Sequence, residues 1–286
     1  MNKHGILRYF FCAGFFLMTV VCTVFLFSCS RSGGVARTPV QTADIEIVDE
    51  REMFIDDFWH WAYSDAGIPK HLADKAISSL TESPEFVMEL LELFAADSYY
   101  YILVDKKNAL PKDYSPTDLV DLKSGTYQVS RPGMTLRQPA VEALEAMAAA
   151  AKQEGVSFTI GSAFRTYEYQ DELYKRYVRE NGKEETDRFS AMPGHSQHQL
   201  GLVVDFFPVE NVFDTMPASA WLKKNASHFG WSLSYPDGYE EVTGYMWESW
   251  HYRYVGAGLA AFIDKYFDGI QQYALQFIKA WKELKD

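Results

Sequence analysis

His198 and Asp205 stand seven residues apart in Ser196-Gln197-His198-Gln199-Leu200-Gly201-Leu202-Val203-Val204-Asp205, and Glu248-Ser249-Trp250-His251 follows further along the chain. Two imidazoles and a carboxylate make the donor set of a catalytic zinc site, which takes three protein ligands and leaves a fourth position for water. Zinc lowers the pKa of that water to about 7. Glu248, three residues before His251, is a spare carboxylate that can take the proton and hand it to a leaving amine. The inventory points to metal-dependent hydrolysis with Zn2+ on His198, Asp205 and His251.

Each residue has a plainer reading on its own. His198 alone would be a loop histidine and Asp205 a turn cap. A carboxylate set between Val204 and Phe206, however, is expensive unless something positive meets it, and a metal does so. Glu248 and His251 alone would be a surface acid and a packed imidazole; Trp247 and Trp250 beside them instead promise a partly dry pocket that raises the Glu248 pKa. Arg165, in Ser162-Ala163-Phe164-Arg165-Thr166, sits between an expected strand and an expected helix. Most arginines there are surface ion-pair partners, but a guanidinium can also bind a carboxylate bidentately or stabilise an oxyanion.

Several elements must position these groups. His198 and Asp205 are separated by an odd number of residues, so one continuous strand would turn them to opposite faces. A bend at Gly201 solves this, with His198 on a loop and Asp205 on a short strand, Leu202 to Phe207. Ser157 to Ser162 reads as a strand and Tyr167 to Glu180 as a helix, which brackets Arg165. Trp247 to Val255 reads as an aromatic-rich strand carrying His251. The Ala-rich stretch Pro139 to Glu154 is a helix stopped by Gly155. Ala218 to Phe229 is a helix ended by Gly230. Tyr99 to Val104 is β-prone. Residues 46–98 read as a helical extension, with apolar faces Leu72, Ala73, Ala76, Ile77, Leu80 and then Phe86, Val87, Leu90, Leu91, Phe94. Phe54, Phe58, Trp59 and Trp61 read as packing rather than a groove. Leu259 to Leu284 gives one or two closing helices. Strands and helices are irregularly segregated, which is the pattern of an α+β fold.

The whole chain is acidic, with a net charge of −12 over 286 residues. That balance argues against nucleic acid as a partner, since phosphate binding depends on clustered Lys and Arg. All three cysteines, Cys12, Cys22 and Cys29, fall in the first 29 residues, so the body has neither disulfide nor thiolate ligand. Lys3 and Arg8 precede an apolar run from Tyr9 to Phe27, the layout of an export signal. Removing residues 1–28 takes away two positive charges and no acid, which leaves −14. Leu26-Phe27-Ser28-Cys29 is similar to a bacterial lipoprotein signal with Cys29 as the lipidated first residue, although Phe27 is bulky for its place. The competing reading is an uncleaved anchor, because the run approaches the roughly 20 residues of a spanning helix. Both place the body outside the cytoplasm, tethered to a membrane at the periplasmic or cell-surface side. Residues 29–45 form a tether rich in Ser, Gly, Thr and Pro.

Three ordered motifs carry a family resemblance. Gly161-Ser162-Ala163-Phe164-Arg165-Thr166 with Gln170, then Pro193-Gly194-His195 running into the segment above, then Glu248-Ser249-Trp250-His251-Tyr252-Arg253-Tyr254-Val255-Gly256 resemble the zinc D-alanyl-D-alanine carboxypeptidases of the vancomycin-resistance type. That group includes L,D-carboxypeptidases of peptidoglycan. Leu103 to Pro111 is similar to the family's domain opening, so residues 99–256 form the zinc carboxypeptidase domain and 257–286 the helices packed on it. The resemblance implies a small antiparallel sheet with flanking helices, of the kind shared with hedgehog-like proteins. It implies zinc on His198, Asp205 and His251, Glu248 as base, Arg165 near the scissile carbonyl or terminal carboxylate, and substrate contacts from Gln170, Ser196 and Tyr235. Peptidoglycan stem peptides are the implied partner; the sequence does not fix the oligomeric state, and a monomer is the favoured expectation. Three positions depart from the family: Gln197 replaces Glu, Ser249 replaces Pro and Val203 replaces Ala. A non-catalytic peptidoglycan-binding lipoprotein, and a zinc endopeptidase or amidase on the same polymer, remain the rival expectations.

Overall fold

The computed structural model describes residues 67–82 and 85–285. The leader, Cys29, the tether and the aromatic cluster Phe54 to Trp61 lie outside the described residues. The described residues fall into two compact units, one within residues 82–276 and the other made of residues 67–81 with 277–285. In the smaller one, helix α1 (Lys70–Glu82) buries Leu72 and Ala73, with Ile68 buried just before it. Among the described residues, no helix is long and apolar enough to cross a membrane.

The larger unit is α+β. Its elements run α2 (Glu85–Ala95), β1 (Leu119–Asp121), β2 (Gln128–Val129), β3 (Thr135–Arg137), α3 (Gln138–Gln153), β4 (Thr159–Ser162), α4 (Tyr167–Asn181), α5 (Lys183–Phe189), β5 (Val203–Phe206), α6 (Pro217–Asn225), β6 (Trp231–Leu233), α7 (Glu240–Thr243), β7 (His251–Tyr254), α8 (Ala257–Tyr266) and the start of α9 (Gln271–Lys285). Five strands make one sheet in the order β2-β4-β5-β7-β6, while β1 and β3 pair separately. The sheet is mixed rather than purely antiparallel, because β2 runs parallel to β4.

Helix α3 shows why the sheet is covered on one face. Ala140, Val141, Leu144, Met147, Ala148 and Ala151 recur at helical spacing and are buried, the pattern of one apolar stripe facing a core. They join Phe158, Ile160, Val204, Phe206 and Tyr252 in one cluster. Phe206 stacks on Phe213 and meets Tyr252 edge-on. Alternation along β5 then sends Val203 and Asp205 to the opposite face. All four β5 residues are buried, so that face is covered as well.

Several expected elements take a different local form. Tyr99 to Val104 is not a strand: Ser98–Tyr101 is a 3₁₀ turn. The buried Arg253 guanidinium donates to the carbonyls of Tyr100 and Ile102 at 3.0 and 2.9 Å, which occupies groups that a β-ladder would use. The helix expected over Ala218 to Phe229 is α6 followed by a 3₁₀ turn, Ala226–Phe229. The strand expected from Trp247 shortens to His251–Tyr254. Leu91 is exposed rather than part of the α2 apolar face.

Candidate metal centre

Register brings two remote segments together. In the antiparallel ladder of β5 and β7, Asp205 lies directly opposite His251, and Val203 opposite Arg253. Opposed residues in such a ladder hold their Cβ atoms about 4.5–5.5 Å apart. A slip of one residue would send one ligand into the α3 core. The bend expected at Gly201 is present: its φ of +70° ends a 3₁₀ turn, Gln197–Leu200, and any Cβ there would meet Leu119 at 3.0 Å and Pro116 at 3.1 Å. His198 therefore sits on a short helical turn rather than in an open loop. Ser196 caps that turn by accepting from the His198 N–H at 3.3 Å.

His198, Asp205 and His251 each offer one ligand atom within 4.8 Å of the others, and all three are buried. His198 Nε2 is 3.2 Å from Asp205 Oδ2, and His251 Nδ1 is 3.1 Å from Asp205 Oδ1. Ligand atoms in a tetrahedral zinc site with bonds of about 2.0–2.1 Å stand about 3.3 Å apart. Asp205 Oδ1 has no hydrogen-bond partner although it is buried, so its closeness to His251 is proximity without a directed bond. A buried carboxylate with one oxygen unsatisfied and an imidazole nitrogen near each oxygen fits a divalent cation.

The charges agree with that fit. Burial opposes ionisation of Asp205, but the charge of His198, the two imidazole nitrogens at 3.2 and 3.1 Å and the nearby Arg165 outweigh it and hold the carboxyl well below its usual range. Burial and the Arg165 charge lower His198 to about 4, so its imidazole is neutral at physiological pH. His251 differs. Burial disfavours its charge, yet the carboxylates of Asp205 and Glu248, 3.1 and 3.2 Å from Nδ1, raise it to about 9. The two carboxylates thus favour positive charge at the place where Nδ1 points. Glu248 lies 3.2 Å from the same nitrogen, and its own pKa is raised, chiefly by burial.

Arg165 stands beside the cluster. Its Nη2 donates to Asp205 Oδ2 at 2.8 Å, and Nε and Nη2 both donate to Ser162 Oγ. Strand β4 thus supplies the acceptor that orients the guanidinium, a role for Ser162 that no local sequence signal marks. The Tyr235 ring lies 4.6 Å from the His251 ring, and the Tyr235 carbonyl accepts from the Glu248 N–H. Gln170 is buried and donates to the Ala191 carbonyl at 2.7 Å, which ties α4 to the segment leading into His195. The contacts of Gln170 therefore go to the backbone, while Ser196 and Tyr235 touch the ligand residues or the base. Sequence reasoning also passed over Ser234, whose hydroxyl reaches Gln197 Oε1 at 2.8 Å.

This fold and this donor set, with a raised carboxyl alongside, define a zinc-dependent peptidase. A profile described as "VanY: D-alanyl-D-alanine carboxypeptidase" matches residues 133–257. The putative carboxypeptidase YodJ of Bacillus subtilis is 32% identical over 185 residues, covering 59% of this chain and 67% of YodJ. Among solved structures, the LdcB LD-carboxypeptidase shares 32% identity at a TM-score of 0.53, covering 59% of this chain and 85% of its own. A vancomycin-resistance D,D-pentapeptidase VanY in complex with Zn(II) shares 30% identity at a TM-score of 0.51, covering 60% and 96%. The chain belongs to the D-alanyl-D-alanine carboxypeptidase family.

Proposed function

We propose that the protein is a lipid-tethered zinc carboxypeptidase that removes the terminal D-alanine from peptidoglycan stem peptides. The observation that carries this reading is the convergence of His198, Asp205 and His251 with Glu248 at 3.2 Å from His251. Zinc in that cluster supplies Lewis acidity toward a scissile carbonyl and an acidified water. The rest falls to side chains. Glu248, with its pKa raised toward the working pH, accepts a proton from water and returns it to the leaving amine. Arg165 keeps a partly exposed guanidinium, 18% accessible, at the edge of the cluster. There it offers N–H donors to the terminal carboxylate or to oxygen charge developing on the scissile carbonyl. Tyr235 closes the His251 side as an aromatic wall, Ser196 holds the turn that carries His198, and Gln170 shapes the wall through Ala191.

The tether is part of the proposal. Cys29 as a lipidated residue would hold the body at the outer side of a membrane, beside the polymer it trims. Radiolabelled fatty acid incorporated by the intact chain and lost in Cys29→Ser supports this, and equal labelling of both overturns it.

One assay tests the activity. The mature chain is incubated with pentapeptide and tetrapeptide stems, and free D-alanine is followed with and without a chelator. Release that a chelator stops and that Glu248→Ala loses is the expected result. Release of larger fragments identifies an endopeptidase instead. Tight zinc uptake with no product of any size identifies a binding protein.

A further inference from the structure

The two imidazoles of the cluster present opposite nitrogens to it. His198 turns Nδ1 to the Ala163 carbonyl at 2.6 Å and Nε2 to Asp205. His251 turns Nδ1 to Asp205 and Glu248, and Nε2 to Gln197 Oε1 at 3.3 Å. A neutral imidazole has one N–H and one lone pair, and the partner of the outer nitrogen decides which is which. For His198 the decision is simple, because a backbone carbonyl only accepts. The proton stays on Nδ1, and the lone pair of Nε2 faces the cluster.

Nothing so simple faces His251. A carboxamide can offer its oxygen or its NH₂, and the two orientations favour opposite tautomers. Here a second group selects the orientation. Ser234 donates its single hydroxyl hydrogen to the same Gln197 Oε1 at 2.8 Å. Behind it, Gln271 Oε1 is the more distant acceptor at 3.5 Å from Ser234 Oγ, so the hydrogen goes to Gln197, while the Gln271 amide donates to the Ser232 carbonyl at 3.4 Å. Gln197, Ser234, His251 and Gln271 are all buried. In so dry a setting, a reversed Gln197 amide would take the 2.8 Å acceptor from the Ser234 hydroxyl hydrogen and leave it only the Gln271 oxygen at 3.5 Å, and a poorly paired buried donor is costly. The acceptor is also uncharged, so it orients His251 without adding a third negative charge to a pocket that already holds Asp205 and Glu248.

We propose that Gln197, held carbonyl-first by Ser234, is a positioning residue that fixes the tautomer of His251, keeping its proton on Nε2 and its Nδ1 lone pair free for zinc. This rests on the zinc reading above. It also gives a physical account of one of the three family departures, since an amide at this position needs a partner such as Ser234 to fix its direction.

Zinc affinity, measured by competition with a chromophoric chelator on the intact protein, tests it. Gln197→Met keeps the length and removes the acceptor, and should weaken zinc binding about 10- to 100-fold, the usual cost of losing a partner behind a metal-bound imidazole. Gln197→Glu restores an acceptor and should bind at least as tightly as the unmodified chain. Ser234→Ala frees the amide to turn and should lose less than Gln197→Met does. Nitrogen-15 spectra of the zinc-loaded unmodified protein should show the His251 proton on Nε2 and that of His198 on Nδ1. These spectra need no variant to fold. A His251 proton on Nδ1, or unchanged zinc affinity in a folded Gln197→Met, overturns the inference alone. Failure of the unmodified chain to take up zinc overturns the functional reading and this inference together.

Discussion

The ligand cluster and the α4–α5 excursion are built from the same kind of contact, yet burial gives them different consequences. In the cluster, Arg165 meets Asp205 at 2.8 Å with side-chain exposures of 18% and 3%. In the excursion, Lys175 meets Asp171 at 2.6 Å with exposures of 62% and 33%. The distances are similar and the energies are not. Water and salt screen the second pair, which leaves a few tenths of a kcal/mol. The first pair is largely dry, where an unmatched charge is severe. Polar contacts in the excursion decorate a helical surface, whereas those in the cluster decide which nitrogen and which oxygen are available for chemistry.

Asp205→Ala is the largest break available. It removes one ligand and strips Arg165, His198 and His251 of their shared counter-charge. Zinc uptake should fall below detection by elemental analysis, and D-alanine release should vanish with it. Loss of one partner from a buried charged group typically costs about 3–5 kcal/mol, so the melting temperature should also drop. A variant that keeps zinc would show that the three-residue cluster is not the metal site.

Glu248→Gln separates chemistry from metal binding. Its carboxyl is not among the three clustered ligands, so zinc content should persist while kcat falls about 10²- to 10⁴-fold, the usual worth of a proton-transfer group. The pH profile carries the sign. Burial raises the Glu248 pKa above the ordinary carboxylate value, and a base works only when deprotonated. Activity should therefore disappear as pH falls through a midpoint higher than that of an ordinary carboxylate, and the residual activity of Glu248→Gln should lack that limb. The histidines add a second dependence. His198, lowered to about 4, is already neutral at pH 7 and has no second proton for a metal to displace, whereas His251, raised to about 9, has one. Zinc must displace that proton, so its affinity should climb as pH rises from 6 toward about 9. Calorimetry in buffers of different ionisation enthalpy should detect the released proton.

The same contrast explains what could be read in advance. The donor set was visible because ligand chemistry restricts residue types, and Gly201 was legible as a bend because parity along a strand demanded one. Helix α3 and strand β4 announce themselves through local periodicity. Tyr99 to Val104 misled because tyrosines favour strands, while the groups that settle its backbone belong to Arg253, some 150 residues away in the chain. Strand β2 has two residues and owes its existence to β4, so no window of sequence could show it. Ser162 and Ser234 carry no signature either. Their roles exist only once β4 lies under Arg165 and the end of β6 lies under Gln197. What sequence reveals is the chemistry of the reacting groups; what it hides is the set of neutral residues that aim them.

The smallest effect belongs to the excursion, and it tests the comparison from the other side. Lys175→Ala removes an i,i+4 pair on the exposed face of α4, where such pairs contribute about 0.3–0.5 kcal/mol. Chemical denaturation should register a loss of that size at low ionic strength. At 1 M salt, where the screening length is about 3 Å, the difference from the unmodified chain should shrink toward zero. Zinc affinity and the rate of D-alanine release should not change at either salt concentration. A loss that survives salt, or that reaches the metal, would mean the excursion is coupled to the cluster through α4 and Gln170, and the division between the two regions would have to be redrawn at Ala191.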